Sequence, residues 1–158
     1  MIGNDIVDLA LAKKESNWNR QRFLDKVFTP LEQKRIQNSR NPEHIVWQFW
    51  TMKESCYKIQ NRRSGERIFN PIQYECFQNT VTFEDIVFYT KTQLTSDFIY
   101  TIATTSPDDF DCVFHLDNRD NITKIDGFPF WNCYFKNKIN PASITHHGRF
   151  EKLISLEK

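Results

Sequence analysis

The sequence predicts an α+β fold, with helices leading and strands following. Two observations carry this. Ile45, Phe49, Met52, Cys56 and Ile59 recur at spacings of four, three, four and three, which is one continuous apolar stripe on a helix from about 43 to 61. After Asn70-Pro71 that period stops, and short β-rich runs separated by turn residues take over. No repeat, low-complexity tract or linker interrupts the 158 residues, a length suited to one domain, 1–158, with a real core. The expected architecture is an antiparallel sheet packed against the long helix.

The elements follow in order. Ile2 to Leu9 reads as a short strand, and Ala10 to Leu24 as a helix with a basic outer face. Thr29-Pro30-Leu31-Glu32 starts a helix ending near Asn38: Thr29 can cap, Pro30 suits the first position, and Glu32 can close a capping box. Asn41-Pro42-Glu43 opens the long helix, which leaves through the polar run Arg62 to Arg67. Strands are expected at Gln73–Gln78, Thr80–Phe83, Ile86–Lys91, Phe98–Thr104 and Asp111–Leu116. Ile122–Ile125, Phe130–Phe135, Ala142–Thr145 and Phe150–Leu156 follow, with Asp126-Gly127 and Asn140-Pro141 as turns.

Composition narrows the function classes. Lys and Arg number 21 against 20 Asp and Glu, a net charge of +1, which argues against a general nucleic-acid binder. No apolar run approaches the length of a membrane span. The start of the chain shows no secretory pattern, so the four cysteines are expected to be reduced, in a cytoplasmic protein. Only four glycines occur, at 3, 65, 127 and 148, so each is expected where a side chain would obstruct something.

Three blocks carry chemistry. In Gly3-Asn4-Asp5-Ile6-Val7-Asp8, strand alternation puts Asp5 and Val7 on one face, and Gly3 allows close approach of a backbone or ligand. In Trp50-Thr51-Met52-Lys53-Glu54-Ser55-Cys56-Tyr57-Lys58, Glu54 and Lys58 share a helix face one turn apart. By spacing alone that pair is also an ordinary helix ion pair. Trp50 and Met52, unnecessary for such a pair, suit the walls of a binding site. The third block is Ser143-Ile144-Thr145-His146-His147-Gly148. In isolation its histidines read as exposed loop residues.

In this order the blocks resemble the 4'-phosphopantetheinyl transferase superfamily. Trp50 to Lys58 matches its aromatic-x-x-Lys-Glu-small-x-x-Lys signature, and the first block its Gly-x-Asp strand. Phe28-Thr29-x-x-Glu32 falls where the family has an aromatic-hydroxyl-x-x-Glu element, which a capping box also explains. Ser143 to His146 is similar to the element lining the coenzyme A site, and Lys124, Gly127, Pro129 and Phe130 to the hairpin that feeds it. The chain order is that of the compact holo-acyl-carrier-protein synthase type.

The resemblance implies a single-lobed fold of that family and transfer of phosphopantetheine from coenzyme A, a substrate, to a serine of an apo carrier protein, releasing 3',5'-ADP. It implies Mg²⁺ held by Asp5 and Glu54, with Glu54 as general base directly or through a water. It assigns Lys58 to the phosphates, and Ser143, Thr145 and His146 to coenzyme A. Phe49 stands where compact members often carry arginine, so Arg62, Arg63 and Arg67 become candidate phosphate contacts, Arg62 foremost. Val7 stands where two-lobed members carry a second acidic ligand. Residues 70–119 have no counterpart in the shortest members and are expected as a β insertion.

The family completes its sites between subunits, so a homo-oligomer, a trimer by preference, is expected, with His146 meeting Asp5 and Glu54 of a neighbour. An acidic acyl or peptidyl carrier protein, of fatty-acid, polyketide or peptide synthesis, would dock near Arg20, Arg22 and Lys26. A solvated helix face explains those residues equally well. No nucleic-acid or membrane partner is expected. The rival reading is a non-catalytic coenzyme A or carrier-protein binding module, against which stands the retention of Asp5, Glu54 and Lys58.

Overall fold

A computed structural model describes residues 1–133 and 137–157. Strand β1 (Ile2–Asp8) leads into helices α1 (Leu9–Glu15), α2 (Phe23–Val27), α3 (Pro30–Gln37) and α4 (Pro42–Ser64). Strands β2 (Tyr74–Phe77), β3 (Thr80–Phe83), β4 (Ile86–Leu94) and β5 (Phe98–Thr104) follow. β6 (Val113–Leu116), β7 (Ile122–Ile125), β8 (Phe128–Cys133), β9 (Lys138–His147) and β10 (Phe150–Leu156) complete the chain. One antiparallel sheet has the order β1-β5-β4-β3-β2, the other β6-β10-β9-β8-β7. No helix among the described residues is long and apolar enough to cross a membrane.

The α4 stripe does what its spacing predicts. Phe49, Met52, Cys56 and Ile59 are buried with Val7, Tyr74, Cys76, Val81, Phe88, Ile99 and Ala103, so α4 lies across the first sheet. Met52, expected as a site wall, is therefore core. Residues 70–119 contribute β2 to β6, and β5 pairs with β1 along its whole length, Ile2 opposite Thr104 to Asp8 opposite Phe98. The segment is thus built into the central sheet and its core. The four cysteines are unbridged.

Three local expectations change. The helix expected over Ala10–Leu24 is broken. Asn17 accepts the Asn19 N–H at 3.1 Å, which competes with helical bonding, and Arg22 adopts a left-handed φ of 67° before α2 begins. Asn140-Pro141 is not a turn but lies inside β9. The strand pairs with β8 through residues up to Pro141 and with β10 only from Ala142, so the missing proline N–H falls at the handover. The strand expected at Phe130–Phe135 runs from Phe128 to Cys133, and Tyr134 and Phe135 lie outside the described residues.

Gly3 sets the spacing between β1 and α4. A Cβ there would fall inside contact distance of the Ser55 carbonyl oxygen. The close approach allowed by Gly3 is therefore to a backbone. Gly3→Ala is expected to destabilise the protein by about 2–3 kcal/mol, because neither backbone can yield without moving its element. Urea melts measure this, and a loss below about 0.5 kcal/mol would show that β1 does not depend on that contact.

Candidate active site

With Gly3 against Ser55, the next residue on that face, Asp5, reaches the next turn of α4. The Lys58 ammonium stands 3.4 Å from Asp5 Oδ1 and donates to the carbonyls of Asn4 at 2.7 Å and Ile144 at 3.3 Å. Lys58 therefore ties β1, β9 and the carboxylate together. Glu54, one turn back, lines the same cavity of about 460 Å³ as Asp5, Lys58 and His146. Its other walls include Val7, Phe23, Trp47, Trp50 and His147.

Burial pushes the Glu54 carboxyl up to about 7, with the Asp5 charge adding and Lys58 opposing. Burial also raises Asp5, against the pull of Lys58 and a hydrogen bond from Thr145. Two carboxylates raised in one cavity are a site short of positive charge. Among the described residues no group of three or more His, Cys, Asp or Glu could hold a metal ion. Two carboxylates on an open cavity fit a hard cation such as Mg²⁺, which keeps waters and takes phosphate oxygens for its remaining positions. They do not fit a closed structural site.

β9 is fastened to β1 by alternate side chains. Ser143 Oγ accepts from Asn4 N at 3.0 Å, Thr145 Oγ1 from Ile6 N at 3.2 Å, and His147 Nδ1 from Asp8 N at 2.9 Å. These groups serve the outward N–H groups of an edge strand that would otherwise lack partners. Ser143 and Thr145, assigned by the resemblance to coenzyme A, have hydroxyls engaged with β1 and are 4% and 5% exposed. His146 points the other way and is exposed. It lines the cavity together with Asp5 and Glu54 of its own chain.

The turn after β9 is clamped as well. Arg149 donates from Nε to Asp8 Oδ2 and from Nη2 to Asp8 Oδ1, each at 2.9 Å. Arg149 holds the Asp8 carboxyl well below the usual range, helped by backbone donors from Arg149 and the first turn of α1. Gly148 has φ +55°, and a Cβ there would stand 2.5 Å from Asp8 Oδ2.

A second cavity, about 290 Å³, shares Lys58 with the first and is lined by Arg62, Arg67, Asn61, Gly127, Pro129 and Ser143. Arg62 Nη2 donates to the carbonyls of Pro129 at 3.0 Å and Ala142 at 2.7 Å, while its Nε and Nη1 are buried without a partner among the described residues. Phe128 and Phe130 lie 5.4 and 4.9 Å from its guanidinium carbon. Arg63 is exposed on the last turn of α4.

Sequence reasoning missed Lys53 and Glu32. Lys53 Nζ meets Glu32 Oε2 at 2.7 Å with both side chains 0% exposed, and donates to the carbonyls of Val27 at 2.8 Å and Pro71 at 2.9 Å. Glu32 also accepts from Thr29 N at 2.8 Å and Cys76 N at 2.7 Å. The capping box explained Glu32 so fully that its second role went unread. Trp47 could have been found, and so could the strand position of His147, which reads in isolation as a loop residue. Trp47 precedes Trp50 by three on one helix face, and His147 continues the alternation of Ser143 and Thr145.

The chain is similar in structure to Helicobacter pylori holo-[acyl-carrier-protein] synthase, solved in complex with coenzyme A. The TM-score is 0.51 at 16% identity, over 67% of this chain and 100% of that one, a likeness of fold. No curated protein matches it significantly in sequence. A family model matches residues 1–103, which hold Asp5, Glu54 and Lys58 and run through β5 as far as Ala103, and by that match the chain belongs to the 4'-phosphopantetheinyl transferase superfamily.

Proposed function

We propose that this chain transfers the 4'-phosphopantetheine group of coenzyme A to a serine of an apo carrier protein, releasing 3',5'-ADP. The observation that carries the reading is the single cavity joining Asp5, Glu54 and Lys58 to His146, beside a basic cavity that shares Lys58. A pyrophosphate donor needs its charge matched and its nucleophile aligned. Asp5 and Glu54 would hold Mg²⁺, which when bound neutralises charge on the pyrophosphate.

The serine Oγ forms the new bond to the β-phosphorus, and the bond from that phosphorus to the oxygen retained by 3',5'-ADP breaks. Glu54, directly or through a water, would take the serine proton. Lys58 supplies positive charge on the leaving side. Arg62 would serve the nucleotide phosphates, since its buried Nε and Nη1 lack acceptors. His146 would line the coenzyme A path. The test is release of 3',5'-ADP in step with loss of coenzyme A, dependent on both apo carrier protein and Mg²⁺. Coenzyme A binding without that release would favour the non-catalytic binding module.

Arg20, Arg22 and Lys26 are exposed on the segment that brings Phe23 to the cavity wall. They support docking of an acidic carrier protein at the cavity mouth, in a cytoplasmic setting that suits the unbridged cysteines. Arg22→Ala with Lys26→Ala is expected to raise the carrier-protein KM severalfold and flatten its salt dependence, with kcat little changed. Steady-state kinetics at two ionic strengths measure this, and unchanged kinetics remove the docking claim.

Whether the chain forms a trimer is separate from whether its sites are shared. With His146 and Glu54 of one chain lining one cavity, mixing His146→Ala chains with Glu54→Gln chains is expected to restore no activity. Recovery toward a quarter or more of the wild-type rate, on the order of a statistical mixture, would show a shared site.

A further inference from the structure

We propose that Thr145 is a positioning residue for the cation site: its hydroxyl fixes the Asp5 carboxylate so that Oδ1 is held and Oδ2 is left for the metal. The inference rests on the reading of Asp5 as a cation ligand. Thr145 Oγ1 accepts the Ile6 N–H at 3.2 Å, so its own proton is free for another acceptor, and Asp5 Oδ1 stands 2.9 Å away. Lys58 approaches the same oxygen at 3.4 Å. Both side-chain hydrogen bonds to Asp5 therefore fall on Oδ1. Burial fixes the Thr145 side chain, and its anchor on β1 fixes the distance to the residue before Ile6.

The comparison with Ser143 separates this role from simple strand fastening. Ser143 makes the same kind of double contact, accepting from Asn4 N at 3.0 Å and donating to Asn4 Oδ1 at 2.8 Å. Asn4 is fully buried and lines neither cavity. Of these β9 hydroxyls, only that of Thr145 donates to a cavity carboxylate. Groups that orient metal-binding carboxylates set metal affinity even though they never touch the ion.

The test titrates Mn²⁺ alone into the protein and reads free ion by electron paramagnetic resonance. Thr145→Val keeps the branched shape and removes the hydroxyl; it is expected to weaken Mn²⁺ about tenfold or more. Thr145→Ser should restore affinity to within about twofold of wild type, because the hydroxyl returns. Ser143→Ala should lose stability but keep its Mn²⁺ affinity.

Wild-type affinity in a folded Thr145→Val protein overturns the proposal. So does an equal loss in Ser143→Ala, which would make the effect one of strand anchoring. Should Thr145→Val fail to fold, Thr145→Ala carries the same expectation. Asp5→Asn separates the levels. If it leaves Mn²⁺ binding unchanged, the cation reading fails and the Thr145 role with it. If it weakens binding while Thr145→Val does not, only the Thr145 role fails.

Discussion

Glu54→Gln is expected to lower the rate of transfer by about 10²–10⁴-fold while making the metal-free protein more stable at neutral and alkaline pH. The loss of rate follows from removing a metal ligand and base, and the gain in stability from removing a buried charge. Burial and the Asp5 charge raise the Glu54 carboxyl from 4.5 to about 7. Between those values the folded state keeps a proton that the unfolded chain has released. The stability held at low pH is therefore lost as pH climbs to about 7, by up to about 2–3 kcal/mol. Partial exposure of Glu54 screens part of that figure.

Glutamine carries no charge, so the variant should melt higher than wild type at pH 8, and the two should converge near pH 4. Mg²⁺ should stabilise the wild type at pH 8 and the variant much less. Melting curves at the two pH values, with and without Mg²⁺, measure this. Near-normal turnover in Glu54→Gln would remove both its metal and its base assignment.

Lys53→Met is expected to cost about 3–5 kcal/mol, the largest single loss of stability foreseen for a side chain outside the cavity. The ion pair with Glu32 is fully buried, and all three Lys53 donors are used. Removing the lysine strands a carboxylate that also holds the N–H groups of Thr29 and Cys76. That hub joins the end of α2, the start of α3, α4 and β2. Removing both charges in Lys53→Met with Glu32→Gln should recover part of the loss, and a double-mutant cycle by urea melts reads the coupling. A single-variant cost below about 1 kcal/mol would contradict the structural role. The lysine and glutamate adjacent in the signature thus face different tasks: Lys53 builds the core, and Glu54 lines the cavity.

Much of the site was legible because its signals are local. The α4 stripe, the Thr29–Glu32 capping box and the one-turn spacing of Glu54 and Lys58 are each fixed within a few residues. Asp5 and Val7 both line the cavity, as does Ile6 between them, so the lining follows the course of β1 and not its alternation alone. Scarcity of glycine spoke correctly at Gly3 and Gly148, where backbone and carboxylate leave no room for a Cβ, but not at Gly65, which has open space and serves the left-handed cap of α4.

What stayed hidden depends on tertiary pairing. Asp8 meets Arg149 across 141 positions, and no pattern in either neighbourhood names the other. Lys53 and Glu32 sit 21 positions apart, and each has a sufficient local explanation. Nothing in the sequence shows that β1 presents bare N–H groups to the hydroxyls of Ser143 and Thr145, which the resemblance assigns to coenzyme A. The break after Glu15 is not legible because Ser16-Asn17-Trp18-Asn19, with one apolar residue among polar ones, fits a helix and a turn equally well until backbone bonding is seen.

The most direct test of the central claim is the intact mass of a purified apo acyl carrier protein after incubation with this chain, coenzyme A and Mg²⁺, with and without EDTA. The account predicts a gain of one phosphopantetheine group, abolished by EDTA and slowed about 10²–10⁴-fold by Glu54→Gln. No gain on any of several apo carrier proteins, from a folded chain that binds coenzyme A, would contradict it.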